Sequence, residues 1–565
     1  MRAILRLLPA AMLAGGSCSS RFDDVSGPAV LLEQIVEVNG LSPPSDLTGE
    51  VRAGGEQMAL AWRDNSSAET GFRIDVAERP IASFADVARW TVVPADTTSW
   101  VLPCEPGAVY YVRVLAVTDT LQSPPSPTIR LATASGPPAA PSILAEGYSS
   151  SHILISWRDV AEERGYRVER SSDLGRTWSV VATVPRNSEF YDDAGLLPGS
   201  AWAYRVTAYN AFGEGVSNVA WGETLAAGVT SGTVYATGDV GAHTSIALAG
   251  AEERVAFYDA TNGRTLFWSG GRVAVADASW GAGATGTDLA LRSGTFAEVV
   301  TVAGTKFNIS TGDARSGFTS RTLDATYARL HPKTASHAAG AFYLYAVQWG
   351  STLSLREWVF PSDGSFPHND IVDVGVEQIA GLDYAVDRAA DQHVALTGGD
   401  GTTLELRYLR RITLGSPAWS TWRLTSAGRP TFCSIVALPQ PTGRAVPHIF
   451  YYESANGRLM HVWRDDWLVG TPWRTEVVRA EPGRRVGAYV SAAYGAGQFH
   501  LAYYDESRRD LMYTRGGPGH WTHYLMDAAG DVGTHTSIAV EENGTVHIAY
   551  RDETNGDLKI ARGRP

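Results

Sequence analysis

The sequence predicts an all-β protein of several domains, and three observations carry that reading. Short runs alternate apolar and polar side chains, as in Met58-Ala-Leu-Ala-Trp62, Ile153-Leu-Ile-Ser-Trp157 and Val546-His-Ile-Ala-Tyr550, which is the period of a half-buried strand. Asn-Gly pairs at Asn262, Asn456 and Asn555 supply the backbone that tight hairpin turns require. A phrase also returns: Asp239-Val-Gly-Ala-His-Thr-Ser-Ile-Ala recurs as Asp531-Val-Gly-Thr-His-Thr-Ser-Ile-Ala, with weaker copies between. A unit repeated in this way cannot bury its apolar face alone, so the copies must stack into one array.

At 565 residues the chain exceeds a single core. Its net charge of −13 argues against a general nucleic-acid binder, which needs basic patches to neutralise phosphates. Cys104 and Cys433 are too distant in sequence for a disulfide framework and read as small buried hydrophobes. Residues 1–18 carry Arg2 and Arg6 ahead of a short apolar stretch that ends in Ala-Gly-Gly-Ser-Cys18, the pattern of an export signal. This segment resembles a bacterial lipoprotein signal, in which Cys18 would be acylated, although Gly15 stands where that family usually has Leu. The resemblance implies an exported chain, anchored in the outer membrane and periplasmic or extracellular, with residues 19–39 as a tether. Ordinary signal cleavage is the alternative.

Residues 40–136 and 138–226 have the length and strand spacing of two seven-stranded sandwiches. Trp62 and Trp157 close the first alternating runs, and Gly71-Phe-Arg-Ile-Asp-Val-Ala-Glu78 and Tyr166-Arg-Val-Glu-Arg170 follow. Both segments resemble fibronectin type III domains. The resemblance implies that Trp62 and Trp157 sit in the cores and that Tyr110 ties a corner of the sandwich through its hydroxyl. Trp202 replaces that tyrosine in the second copy, so its corner must close differently. Within it, Ser171-Ser-Asp173-Leu-Gly175-Arg-Thr177-Trp178 resembles the Asp-box of sialidases. Its physical content is a hairpin, with Asp173 bonding turn amides, Gly175 at positive φ and Trp178 packed beneath.

From residue 230 to 565, first strands are expected near His243, Thr287, Tyr327, Ile379, Phe432, Tyr489 and His535, a spacing of roughly 40 to 56 residues that suits four short strands per unit. The region resembles a β-propeller of seven blades, with Gly232-Thr-Val-Tyr-Ala-Thr237 completing the last blade and leaving no open strand edge.

In such a ring the turns after second strands and the entries to first strands share one face. The turns bring Asp259, Glu453, Asp505 and Asp552 there, and the entries bring His243, Tyr489 and His535. A ligand site at this mouth would use His243, Tyr489, His535, Asp259, Asp505 and Asp552, while Trp467 and Trp473 are the exposed aromatic candidates for stacking a sugar. The competing account of the carboxylates is turn capping, because a folding rule repeats while a site needs distinct residues. Two His without a third ligand predict no metal, and no cofactor is expected; calcium at the carboxylate turns is an alternative. No Gly-x-Ser-x-Gly elbow, phosphate loop or sialidase arginine signature occurs, so a non-catalytic, adhesive binding head for carbohydrate or protein is expected. A sialidase-like hydrolase and a structural part of a surface assembly are the alternatives.

Overall fold

The computed structural model describes residues 41–564, apart from 53–54, 135, 279–283, 293–295, 304, 325–328, 339, 350–351, 363–367, 401, 413–417, 442, 469 and 482. The export signal, Cys18, the tether, Trp280 and Tyr327 lie outside the described residues. The chain is all-β: apart from one short 3-10 turn, every described element is a strand. It divides into two compact units. One contains the chain up to Leu144 with Ile155–Tyr191 and Trp202–Ala220; the other contains Ala145–Leu154, Asp192–Ala201 and Trp221–Pro565.

In the first unit, Ser45–Val51, Gln57–Arg63 and Ser99–Pro103 form one antiparallel sheet of the first module. Arg89–Pro94, Gly71–Ala77, Val109–Val117 and Ile129–Ala132 form the other, in that order. Alternate residues point inward, so Met58, Leu60 and Trp62 meet Phe72, Ile74 and Val112 in one core. Trp62 packs edge-on against Phe72, with ring centroids 5.7 Å apart. The Tyr110 hydroxyl accepts the Glu105 N–H at 2.9 Å, the expected corner. In the second module Trp157 packs on Tyr166 at 5.3 Å. The Asp-box closes the hairpin between Gly165–Ser171 and Ser179–Pro185. Asp173 accepts the Thr177 N–H at 2.8 Å and its hydroxyl at 2.6 Å. Gly175 takes φ +80°, and a side chain there would meet Trp178. Those hydrogen bonds, the Thr177 hydroxyl first, hold the Asp173 carboxyl down at about 2.

The first module has a threonine bridge, Thr133 accepting the Ala108 N–H at 2.7 Å and donating to the Glu105 carbonyl at 2.8 Å, and the second unit has its equivalent. Thr224 accepts the Ser200 N–H at 2.9 Å and donates to the Leu197 carbonyl at 2.7 Å. The repeat region then contributes four-stranded antiparallel meanders whose first strands are Val240–Ala249, Ala284–Arg292, Arg329–His337, Gln378–Val386, Pro430–Leu438, Val486–Gly495 and Val532–Val540. We number these repeat sheets one to seven. The seventh takes its fourth strand from the start of the region: Thr230–Tyr235 pairs antiparallel with Asp557–Gly563, Thr230 opposite Arg562. Beyond its fourth strand, His520–Asp527, the sixth sheet continues through a parallel pairing of Tyr524 with Gly147. Next to that pairing Glu146 is fully buried between Arg479 and Arg508, the latter at 2.6 Å. Burial pushes its carboxyl up, but the two guanidinium charges outweigh this and hold it below the usual carboxylate range.

Each first strand packs against the first strand of the next sheet, and Val532–Val540 packs against both Val486–Gly495 and Val240–Ala249. A circuit of polar side chains joins them at one register position. Ser245, Asp288, Ser434, Ser491 and Ser537 accept the backbone N–H of Leu289, Thr334, Ala492, Ile538 and Ile246, at 3.1, 2.9, 3.1, 3.2 and 3.0 Å. Asp383 accepts the Ile435 N–H at 2.9 Å, and Lys333 spans the remaining step to Asp383 at 3.1 Å. Seven sheets thus exchange seven contacts with no gap in the sequence of neighbours.

Candidate functional site

Two residues before each bridging position lies an unusual stretch of backbone. His243, His331, Phe432, Tyr489 and His535 have φ of 52°, 54°, 43°, 54° and 53°. All five carry rings, and each lies at or beside a register slip in its first strand. In sheets two and four the same position is Gly286 or Gly381. The left-handed region costs an L residue about 1–2 kcal/mol, so five bulky residues there are strain that the surrounding structure must impose. The bulge re-aims each ring. Thr244 and Thr536 secure two of these positions by donating to the carbonyls of His535 and Tyr489.

The structure brings together His243, Tyr489 and His535, as the repeat implied. His243 and His535 have ring centroids 5.0 Å apart, Tyr489 and His535 4.7 Å, and Phe432 extends the row to Tyr489 at 4.5 Å. These rings are half-buried. Burial first, then the Arg551 charge, lowers His243; burial, His243 and Arg551 bring His535 down to about 3. The His331 Nε2–H donates to the Ile379 carbonyl at 3.3 Å, and burial brings the imidazole down to about 4. At neutral pH all three imidazoles are uncharged. They offer ring faces and single N–H donors, not a cationic grip. His331 and Phe432 were not among the site residues read from sequence; the signal available was the two-residue step from each to Lys333 and Ser434, which matches His243 to Ser245.

The turn carboxylates each bond within their own turns. Asp259 accepts the Asn262 N–H at 3.1 Å and the Arg264 guanidinium at 2.9 Å. Asp505 accepts the N–H groups of Ser507 and Arg508 at 2.9 and 3.0 Å, and Asp552 accepts the Asn555 N–H at 3.0 Å. All three are buried. They cap their own turns, which is the competing account the sequence offered for these carboxylates. Among the described residues the carboxylates close enough to share a metal ion are Asp64, Glu69 and Asp96, in the first module.

Trp467 and Trp473 do not join the collar. They sit in the connection between Arg458–Trp463 and Arg474–Arg479, packed on Tyr408 of sheet four. Tyr452 donates to Glu506 at 2.7 Å, and Arg485 holds Glu506 at 2.7 Å. The next sheet repeats it, with Tyr504 donating to Asp531 at 2.8 Å and Arg509 nearby. A pair that recurs between successive sheets is explained by the folding rule.

No family model matches the chain. Over 180 residues, 31% of its length, it is 29% identical to receptor-type tyrosine-protein phosphatase F of Bos taurus, of which it covers 9%. Over 117 residues it is 33% identical to the Mus musculus protein of that name and covers 6% of it. The chain thus spans less than a tenth of the length of these curated relatives. Among solved structures it is similar to a two-domain fibronectin type III segment of chicken tenascin, with 22% identity, 32% of this chain and 98% of that one covered, and a TM-score of 0.19. It is also similar to the chicken CNTN1 FN1–FN3 domains, with 16% identity, 59% and 100% covered, and a TM-score of 0.18. The described strands make the chain all-β.

Proposed function

We propose that this chain is an exported, non-catalytic binding protein whose seven repeat sheets form a seven-bladed β-propeller, presented on fibronectin type III spacers. Such domains are typically extracellular, and acylation at Cys18 would hold the protein at the outer membrane facing the periplasm or the exterior. The ligand, a glycan or a surface protein, meets the collar at the propeller mouth. The cyclic packing of first strands and the unbroken polar circuit support the propeller reading. One observation carries the binding role: five strained aromatic residues gathered at equivalent positions, with chemistry that varies between His, Tyr and Phe. The pairing of Arg485 with Glu506 and of Arg551 with Asp239 favours binding over hydrolysis.

The test uses the full chain and its Tyr489→Gly/His535→Gly variant on glycan arrays and surface-protein arrays. Glycine accepts the backbone, so the variant should keep its melting temperature while losing binding at least tenfold. Equal binding by both, or turnover of a fluorogenic glycoside by the native chain, would overturn the proposal.

A further inference from the structure

We propose a second binding site, separate from the collar, on the outer edge between repeat sheets four and five, which takes the apolar face of a neutral sugar ring. Its floor is Tyr408, fully buried, paired across the sheet with Trp422. Trp422 stacks on Tyr408 at 5.3 Å and meets Trp467 at 5.9 Å, while Trp473 stands edge-on to Tyr408 at 5.4 Å. The three indoles are half-buried and belong to one cluster, so each offers a ring surface to solvent.

Hydrogen bonding divides these indoles into one fixed and two free. The Trp467 N–H donates to the Ala445 carbonyl at 2.7 Å and locks its ring. Among the described residues the Trp422 and Trp473 N–H groups have no partner, and neither is buried. A packing aromatic hides or satisfies its N–H; a rigid ring with an accessible N–H beside it is suited to a partner with an apolar face and a hydroxyl rim. Pyranose rings have that chemistry.

Charge selects a neutral member of the class. The Arg410 guanidinium lies 4.3 Å over Trp467 and is bound to Asp391 at 2.5 Å. Arg474 pairs with Asp465 at 2.7 Å, and Arg464 lies beside Asp466. Arg410 and Arg474 are each paired with an aspartate, and Arg464 is engaged over the Trp467 ring at 5.2 Å and with the Leu468 carbonyl at 3.0 Å, which disfavours a uronate or sialate.

The inference does not rest on the collar, because it needs only the neighbourhood of sheets four and five. The test titrates the full chain with neutral glucan, mannan and galactan oligosaccharides while following tryptophan fluorescence. At least one should bind and quench the signal. Trp422→Ala should weaken that binding tenfold or more, Trp473→Phe should weaken it at least threefold by removing the N–H while keeping a ring, and His535→Gly should leave it unchanged. If no neutral oligosaccharide binds, or if the Trp422 and Trp473 variants bind like the native chain, the proposal is overturned. Loss on His535→Gly instead would assign the sugar to the collar and equally overturn it.

Discussion

His535 holds its ring on a backbone of φ 53°, where a β-branched side chain clashes and glycine does not. His535→Gly is therefore expected to change stability by less than about 1 kcal/mol, and His535→Val to cost about 2 kcal/mol or more, as measured by urea denaturation. Asp510 makes a different case. It pairs across the strand with Asp505, and burial, then the Asp505 charge, pushes its carboxyl up to about 7. The folded chain thus binds this proton more tightly than the unfolded chain, so the stability linked to it is present below the ordinary carboxyl range and lost as pH rises through 7. Asp510→Asn should raise the melting temperature at pH 8 and change it little at pH 4. The sequence told of His243, Tyr489 and His535 because their context repeats letter for letter. It did not tell of Asp510, whose environment is made by residues brought together only in the fold.

Between strands, the circuit through Ser245, Asp288, Lys333, Asp383, Ser434, Ser491 and Ser537 shows what the repeated phrase is for. Ser491→Ala removes one acceptor from the Ile538 N–H and should cost about 1 kcal/mol. Asp383→Ala removes the partners of the Ser434 hydroxyl, the Ile435 N–H and the Lys333 ammonium together. It should cost at least twice as much, read as a lower urea midpoint at unchanged slope. Sheets two to four were hard to read because their letters differ. Gly286-Thr-Asp288, His331-Pro-Lys333 and Gly381-Leu-Asp383 share the register but not the phrase, since reaching the next sheet can be done by a hydroxyl, a carboxylate or an ammonium. The carboxylate turns were legible as turns; which amides each carboxylate bonds needed the geometry.

At the scale of the whole chain, histidines set the acid limit. Burial brings His331 down to about 4 and His448, His523 and His535 to about 3. The unfolded chain takes up those protons near 6.5, the folded chain only well below, so stability is full above pH 6.5 and lost as pH falls toward 4. A melting temperature that drops by several degrees between pH 7 and 5 is the expected result in differential scanning fluorimetry. Long-range contacts were the least legible level, because the burial of Glu146 between Arg479 and Arg508 ties residues more than three hundred positions apart and no local pattern announces it. The pairing of Thr230–Tyr235 with Asp557–Gly563 also sets a timetable. A ribosome delivers one partner at the outset of the repeat and the other only after six sheets have emerged. Until then the early segment has nothing to zip onto, and the array keeps two bare flanks. The lock turns only once translation has passed residue 563, so a chain halted earlier stays open and within reach of proteases and chaperones.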